Sequence, residues 1–341
     1  MRTCTYTRFE VQFRDLQRYR IMLVVGTLLA AFVGMTMLPT NTYAAKATKF
    51  GEMSLERWAK LREVERYQLN IAEKYFGKGD WKIAITEYEK YLKLYEASEA
   101  ASYAQLRWSV CMLKIRKQNT AIRDGFQSVI DYWPDSPEAK ASAFYIARTY
   151  RDMGQVSNAK KAYANILDEY EEQYVSVLAK VDLLEMAKKQ KDDEAVVKLL
   201  EDLTFKTKRT TKSKYYCERA TRELATRSFY GNKYEDAIRI LETTYKDSSL
   251  TYSIYSLVRS PISHIVRTKK DLKAGYALAD RVIRLLQAEI PVALTTDAEK
   301  SAAKTLNYRI VEIHNYAGRS EDVIKVYQQM KKTFGADDEL R

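Results

Sequence analysis

Few side chains in this chain could do chemistry, and their spacing argues against it. His264 and His314 are its two histidines, and Cys4, Cys111 and Cys217 its three cysteines. A metal centre needs such ligands at short spacings within one or two elements, and these five are scattered. The run Asp192-Asp193-Glu194 brings three carboxylates together, as acid–base or cation chemistry would. It reads more simply as a helix start, where carboxylates favour the positive end of the dipole. No G-x-S-x-G elbow, Walker loop or dinucleotide fingerprint occurs. No catalytic residue, metal or cofactor is therefore expected, and the chain reads as a non-enzyme.

The elements around these residues follow from composition. Only 5 prolines and 11 glycines occur in 341 residues, far below the roughly 5% and 7% of an average protein. Turns are few, so elements are long, and the abundant Ala, Leu, Lys, Glu and Arg favour helix over a turn-rich β-sandwich or glycine-looped α/β fold. Hydrophobic residues make up 46% and aromatics 12%, which excludes disorder.

The net charge of +12 is unevenly placed. Residues 204–289 hold 18 basic and 9 acidic side chains, residues 1–44 hold 5 and 2, and the remaining stretches balance. The first 44 residues read as an export leader: Arg2, Arg8, Arg14, Arg18 and Arg20 precede an apolar run at 21–38, and Thr42-Tyr43-Ala44 offers a small-residue cleavage site. At 18 residues the run is also near the minimum for a membrane span, so an uncleaved anchor stays open. Either alternative places the body outside the cytoplasm, in the periplasm or anchored to the inner membrane and facing it.

Self-comparison shows a repeat. Ala72, Tyr75, Gly79, Asp80, Trp81, Ala84, Tyr88 and Tyr91 align with Ala147, Tyr150, Gly154, Gln155, Val156, Ala159, Tyr163 and Ile166 at a constant offset of 75, two units of about 37 residues. The pattern is that of a helical hairpin: a small residue and an aromatic on the first helix, a turn, then an alanine where the second helix approaches closely. Pairs of small or aliphatic residues 12 apart recur at Leu183 and Ala195, Ala225 and Ala237, and Val311 and Val323, with degenerate units at 110–134 and around Pro261, Gly275 and Ala279. In Trp133-Pro134-Asp135-Ser136-Pro137 a helix ends before Pro134, Ser136 caps the next and Pro137 starts it.

These positions resemble the tetratricopeptide repeat. The resemblance implies an all-α, right-handed α-solenoid of about seven hairpins over residues 65–335, after a short lead-in at 45–64 and before a tail at 336–341. It also implies a protein-interaction scaffold without chemistry of its own, whose groove is lined by the first helix of each hairpin. Projected onto this sequence, Arg107, Lys114, Arg148, Arg151, Lys180, Lys188, Arg219, Arg222 and Arg267 fall on or near that groove, where acidic residues look sparse. An acidic partner segment is therefore expected, held by charge-assisted hydrogen bonds, although Lys and Arg also simply solvate helix faces. Phe229 and Tyr230 project to the groove as aromatic anchors, whereas Tyr75, Tyr88, Tyr91, Tyr150, Tyr163 and Tyr327 take packing slots between hairpins. His314 takes a slot where the repeat usually has tyrosine, so it too reads as packing.

In such a stack each unit touches only its neighbours, so Cys111 and Cys217, three units apart, are expected as free thiols. The alternative function lies in the basic block: Lys206, Lys208, Arg209, Lys212 and Lys214 form an acid-free stretch at 204–214, suited to an acidic polymer or a membrane surface. Nucleic acid is not an expected partner. The segment around 133–150 further resembles repeats of bacterial envelope tetratricopeptide proteins, of the Tol-Pal-associated cell-division coordinator and outer-membrane assembly lipoprotein types, and implies an envelope scaffold.

Overall fold

A computed structural model describes residues 51–335; the leader at 1–44 and the tail at 336–341 lie outside the described residues. Among the described residues the chain is all-α, with no strand and no helix long and apolar enough to cross a membrane. A short helix α1 (Leu55–Lys60) comes first. Seven hairpins follow: α2 (Glu63–Lys78) with α3 (Trp81–Leu94); α4 (Ala101–Lys114) with α5 (Gln118–Thr120) and α6 (Gln127–Tyr132), joined through a π-helical turn at Ala121–Phe126; and α7 (Pro137–Asp152) with α8 (Val156–Glu169). The fourth pairs α9 (Tyr174–Gln190) with α10 (Asp193–Glu201), which runs into a π turn at Asp202–Lys206, and the fifth pairs α11 (Lys214–Tyr230) with α12 (Tyr234–Glu242). In the sixth, α13 (Asp247–Ser263) and a π turn at His264–Thr268 pair with α14 (Leu272–Ala288); the seventh is α15 (Asp297–Ala317) with α16 (Ser320–Phe334).

First helices begin at residues 63, 101, 137 and 174, intervals of 38, 36 and 37, so the expected period holds over the first four hairpins. It lengthens at the end, where a loop at 289–296 precedes the 21-residue α15. The chain divides into two compact units, residues 1–108 and 109–341, with the division inside α4. In the second unit α7 packs on α9, α11 on α13 and α13 on α15, so first helices stack on first helices, the neighbour-to-neighbour packing of a repeat protein.

The turn chemistry explains why the helices stop where they do. Each hairpin turn holds one residue in the left-handed region: Gly79 (φ 82°), Arg116 (62°), Gly154 (75°), Lys191 (58°), Asn232 (57°), Lys270 (56°) and Gly318 (74°). In six of these the next residue's N–H donates to the carbonyl five residues back, as Asp80 does to Tyr75 and Lys117 to Met112, closing the last helical turn. In the sixth hairpin Asp271 reaches one residue further, to Ile265, because a π turn precedes it. At the fifth turn, Gly231-Asn232, the glycine keeps an ordinary φ of −79° and Asn232 takes the left-handed position. Lysine pays a Cβ clash there that glycine does not. Lys191→Gly should therefore raise stability by about 0.5–1 kcal/mol after allowing for glycine's greater unfolded-state entropy, read as a rise in the urea midpoint.

The caps match the sequence reading. Ser136 accepts from the Ala139 N–H, with Pro137 at the first helical position, and Asp192 accepts from the Ala195 N–H, so the acidic run opens α10. Cys111 and Cys217 are buried free thiols, and His314 is a buried side chain of α15. The small residues of the repeat, Ala72, Ala84, Ala147, Ala159, Ala225 and Ala237, are all fully buried where the helices of a hairpin meet. Tyr88, Tyr91 and Tyr163 are fully buried as expected; Tyr327 is not, standing 38% exposed on α16.

The candidate interaction face

The charged residues of the first helices are not a bare basic lining. They form ion-pair rungs between successive first helices, and the carboxylates in those rungs correct the expectation that acidic residues are sparse there. In the first unit Glu73 of α2 faces Arg107 of α4 at 3.3 Å. In the second unit Asp182 of α9 faces Arg151 and Arg148 of α7 at 2.7 and 3.8 Å. Glu185 and Lys188 of α9 meet Arg219 and Glu223 of α11, at 3.5 Å for Glu185–Arg219 and 2.7 Å for Lys188–Glu223. Arg222 of α11 donates to Ser256 of α13 at 3.2 Å, and Arg259 of α13 pairs with Glu312 of α15 at 2.9 Å. Partners in rungs 73–107, 148–182 and 185–219 are each 34 residues apart, one repeat, because equivalent positions on stacked first helices lie side by side.

Tyrosines tie the rungs into the core. Tyr88 donates to Glu73 at 2.6 Å, Tyr103 to the same oxygen at 3.0 Å, and Tyr163 to Asp182 at 2.7 Å. The Arg107 guanidinium lies 4.4 Å from the Phe76 ring centre, a cation–π contact. Burial opposes the charge on Arg151, but Asp182, Tyr163 and Asp152 together outweigh it and hold the guanidinium more firmly protonated. Burial, and then the neighbouring carboxylate, raises the phenols of Tyr88 and Tyr163 well above their ordinary 10.0.

That shift sets an alkaline limit. A phenol raised in the folded state contributes stability below the unfolded value, and loses it as pH climbs towards the folded one. Helical content should therefore begin to fall above about pH 10, with tyrosinate absorbance and far-UV circular dichroism changing together. Ionisation of every phenol, the buried ones included, while the helices persist would contradict the buried hydrogen bonds.

The other expected site residues separate clearly. Lys180 reaches Thr207 at 3.5 Å, while Lys114 and Arg267 are exposed at the ends of their helical segments. Phe229 is a correction: it is fully buried against Tyr234, 6.2 Å between ring centres, because its position on α11 points into the hairpin, so it offers no anchor surface. Tyr230, one residue on, is 37% exposed and packs edge-on against His264.

The basic stretch at 204–214 is largely engaged. Lys206 pairs with Asp202 at 2.8 Å and Lys214 with Glu218 at 3.8 Å. Arg209 donates to the Thr204 carbonyl, Thr243 and Thr244 at 3.2, 3.1 and 2.8 Å, tying the loop to the end of the fifth hairpin. Lys212 lies over the Tyr174 ring at 5.9 Å, and Lys208 is exposed. Four of the five cations thus have a local structural use.

Sequence reasoning missed Glu73, Asp182, Glu185, Glu223 and Glu312, and the aromatic and arginine residues of α13 and α15. For Glu73, Asp182, Glu185 and Glu223 the signal was present, as opposite charges spaced one repeat apart on consecutive first helices; Glu312 stands 53 residues from Arg259 and gave no such signal. The described residues hold no group of three or more His, Cys, Asp or Glu placed to bind a metal ion.

With this geometry in hand, the likenesses to known proteins fall into place. Residues 141–172, most of α7 and all of α8, match the tetratricopeptide repeat family. No curated protein matches the chain as a whole. Among solved structures, the C-terminal part of a TPR repeat-containing protein from Cytophaga hutchinsonii is similar at 12% identity, covering 80% of this chain and 97% of that one, with a TM-score of 0.43. A tetratricopeptide repeat protein from Parabacteroides merdae is similar at 10% identity, covering 82% and 96%, with a TM-score of 0.38. The matched segment is similar to the tetratricopeptide repeat, a family whose hairpins generally serve as non-catalytic surfaces for protein partners.

Proposed function

We propose that this chain is a non-catalytic scaffold of the bacterial cell envelope that holds an acidic segment of a protein partner along the first-helix face of its second unit. The observation that carries the reading is the charge balance of that face. Its rungs comprise Arg148, Arg151, Lys180, Lys188, Arg219, Arg222, Arg259 and Arg309 against Asp152, Asp182, Glu185, Glu223 and Glu312. The carboxylates fix the cations in place and leave a positive surplus on a surface built from consecutive helices. A negatively charged, extended partner satisfies that surplus through hydrogen bonds that are stronger for being charge-assisted.

The export reading rests on the leader at 1–44, whose basic start and apolar run are those of a secreted chain. Fusing residues 1–44 to an enzyme that is active only outside the cytoplasm should produce activity.

Cross-linking of the full chain in the envelope, followed by mass spectrometry, tests the interaction. Cross-links should join one acidic partner segment to α9 and α11, and the pair Lys180→Glu with Arg222→Glu, whose partners are neutral hydroxyls, should lower capture about tenfold. Undiminished capture by a folded double variant would sink the acidic-segment reading.

A further inference from the structure

One arginine on this face differs from the others. Arg309 of α15 is half-buried, and its guanidinium lies 5.0 Å from the Tyr252 ring centre and 5.4 Å from that of Tyr255, both on α13. Among the described residues no carboxylate pairs with it. Glu312, one helical turn along, is already taken: it accepts from the Tyr255 hydroxyl and from Arg259 at 2.9 Å. Arg259 in turn lies 5.1 Å from Tyr255 and 5.9 Å from the ring centre of Tyr316.

The two tyrosines, 6.2 Å between ring centres, therefore hold a planar cation whose donors find no anionic partner in the protein. Stacking fixes the plane of a guanidinium and leaves its N–H edge free, the arrangement that binds a carboxylate through two parallel hydrogen bonds. Partial burial makes such a bond stronger than one in open water. Beside it Tyr252 is 51% exposed, a flat apolar surface next to the charge. Tyr252 and Tyr255 on α13, and Arg309, Glu312 and Tyr316 on α15, occupy facing stripes at helical spacing, and Arg222 adjoins the same stripe through Ser256.

We infer that Arg309 is the specificity point of the interaction face: it takes one Asp or Glu side chain of the partner segment in a two-point hydrogen bond, while Tyr252 takes the neighbouring apolar side chain. The occupant is thus an acidic segment in which a carboxylate stands beside a large apolar residue, rather than a uniformly acidic tail. Charge complementarity selects it, because Arg309 is the half-buried cation of the sixth and seventh hairpins left without a counter-charge. This inference rests on the proposed acidic-segment function and names the residues that read it.

The test uses the full chain and a fluorescein-labelled peptide of about twelve residues built from Glu, Phe and Gly, read by fluorescence anisotropy. Arg309→Gln should weaken binding about tenfold, and Tyr252→Ala should weaken it several-fold for the Phe-containing peptide but not for a peptide with Gly in place of Phe. Arg309→Lys, which keeps the charge and the fold but loses the planar fork, should fail to restore full affinity. Arg239→Gln, an exposed arginine of α12 paired with Asp236, should bind as the unaltered chain does. Binding that falls with Lys180→Glu and Arg222→Glu but is indifferent to folded Arg309→Gln and Arg309→Lys would overturn this site and leave the scaffold reading standing. No binding of either peptide by the unaltered chain would overturn both.

Discussion

Asp182→Ala should loosen the second unit by about 2–4 kcal/mol, the range for leaving buried polar and charged groups without their partner. Three groups converge on this carboxylate: the Tyr163 hydroxyl at 2.7 Å, Arg151 at 2.7 Å and Arg148 at 3.8 Å. Tyr163 is fully buried, and the two arginine side chains are 22% and 24% exposed. The substitution leaves a phenol without its acceptor and Arg148 without its carboxylate, while Arg151 keeps only the more exposed Asp152 at 2.8 Å. Because each hairpin leans on its neighbours, amide exchange should quicken in α7, α8 and α9 first. Asp182→Asn retains an acceptor for Tyr163 but not the charge, so its loss should be smaller. A urea midpoint for Asp182→Ala within error of the unaltered chain would mean that the rungs are surface pairs of little energetic consequence.

Gly275→Ala is the second large effect, and it comes from space rather than charge. A Cβ placed on Gly275 would stand 2.3 Å from Cγ2 of Val266 and 3.5 Å from Cγ2 of Ile265. Both neighbours are β-branched, so neither can swing aside cheaply. The crowding has a traceable cause. Pro261 lies inside α13 and brings no N–H to the helical ladder; a π turn at His264–Thr268 follows and buries Ile265 and Val266 against the start of α14. Alanine should force α14 away from that turn at a cost of about 1–3 kcal/mol, seen as faster amide exchange in the sixth hairpin and a lower melting temperature. A substitution that raised the melting temperature, as alanine does at an open helical glycine, would show that the helices are not in close contact there.

Much of the fold was legible in the sequence because hairpin packing depends on small residues at fixed spacing. Ala72, Ala84, Ala147 and Ala159 recur, fully buried, where two helices approach closely. Gly79, Gly154 and Gly318 marked three turns for the same local reason. Three others were harder to see, since Arg116, Lys191 and Lys270 adopt the same left-handed conformation without the residue that advertises it. Phe229 shows the limit at single positions. A helical projection places two adjacent aromatics near one face, but neighbouring residues on a helix point about 100° apart, and Phe229 turns into the hairpin while Tyr230 turns out.

Sequence by itself determined the class, the repeat period and the kind of surface: helices at 36 to 38 residue intervals, each with a charged first helix and a small-residue seam. Composition and spacing are local properties, and local properties suffice to set them. Tertiary structure decided which charges remain available. Arg107 and Arg151 looked like free cations until stacking brought Glu73 and Asp182 against them from the adjacent first helix. At Arg309 the residues across the contact are Tyr252 and Tyr255, about one and a half repeats away in sequence rather than one, and neither is a carboxylate. Whether a charge is spent inside the protein or kept for a partner depends on what lies across the helix–helix contact, and that neighbour is a repeat or more away in sequence.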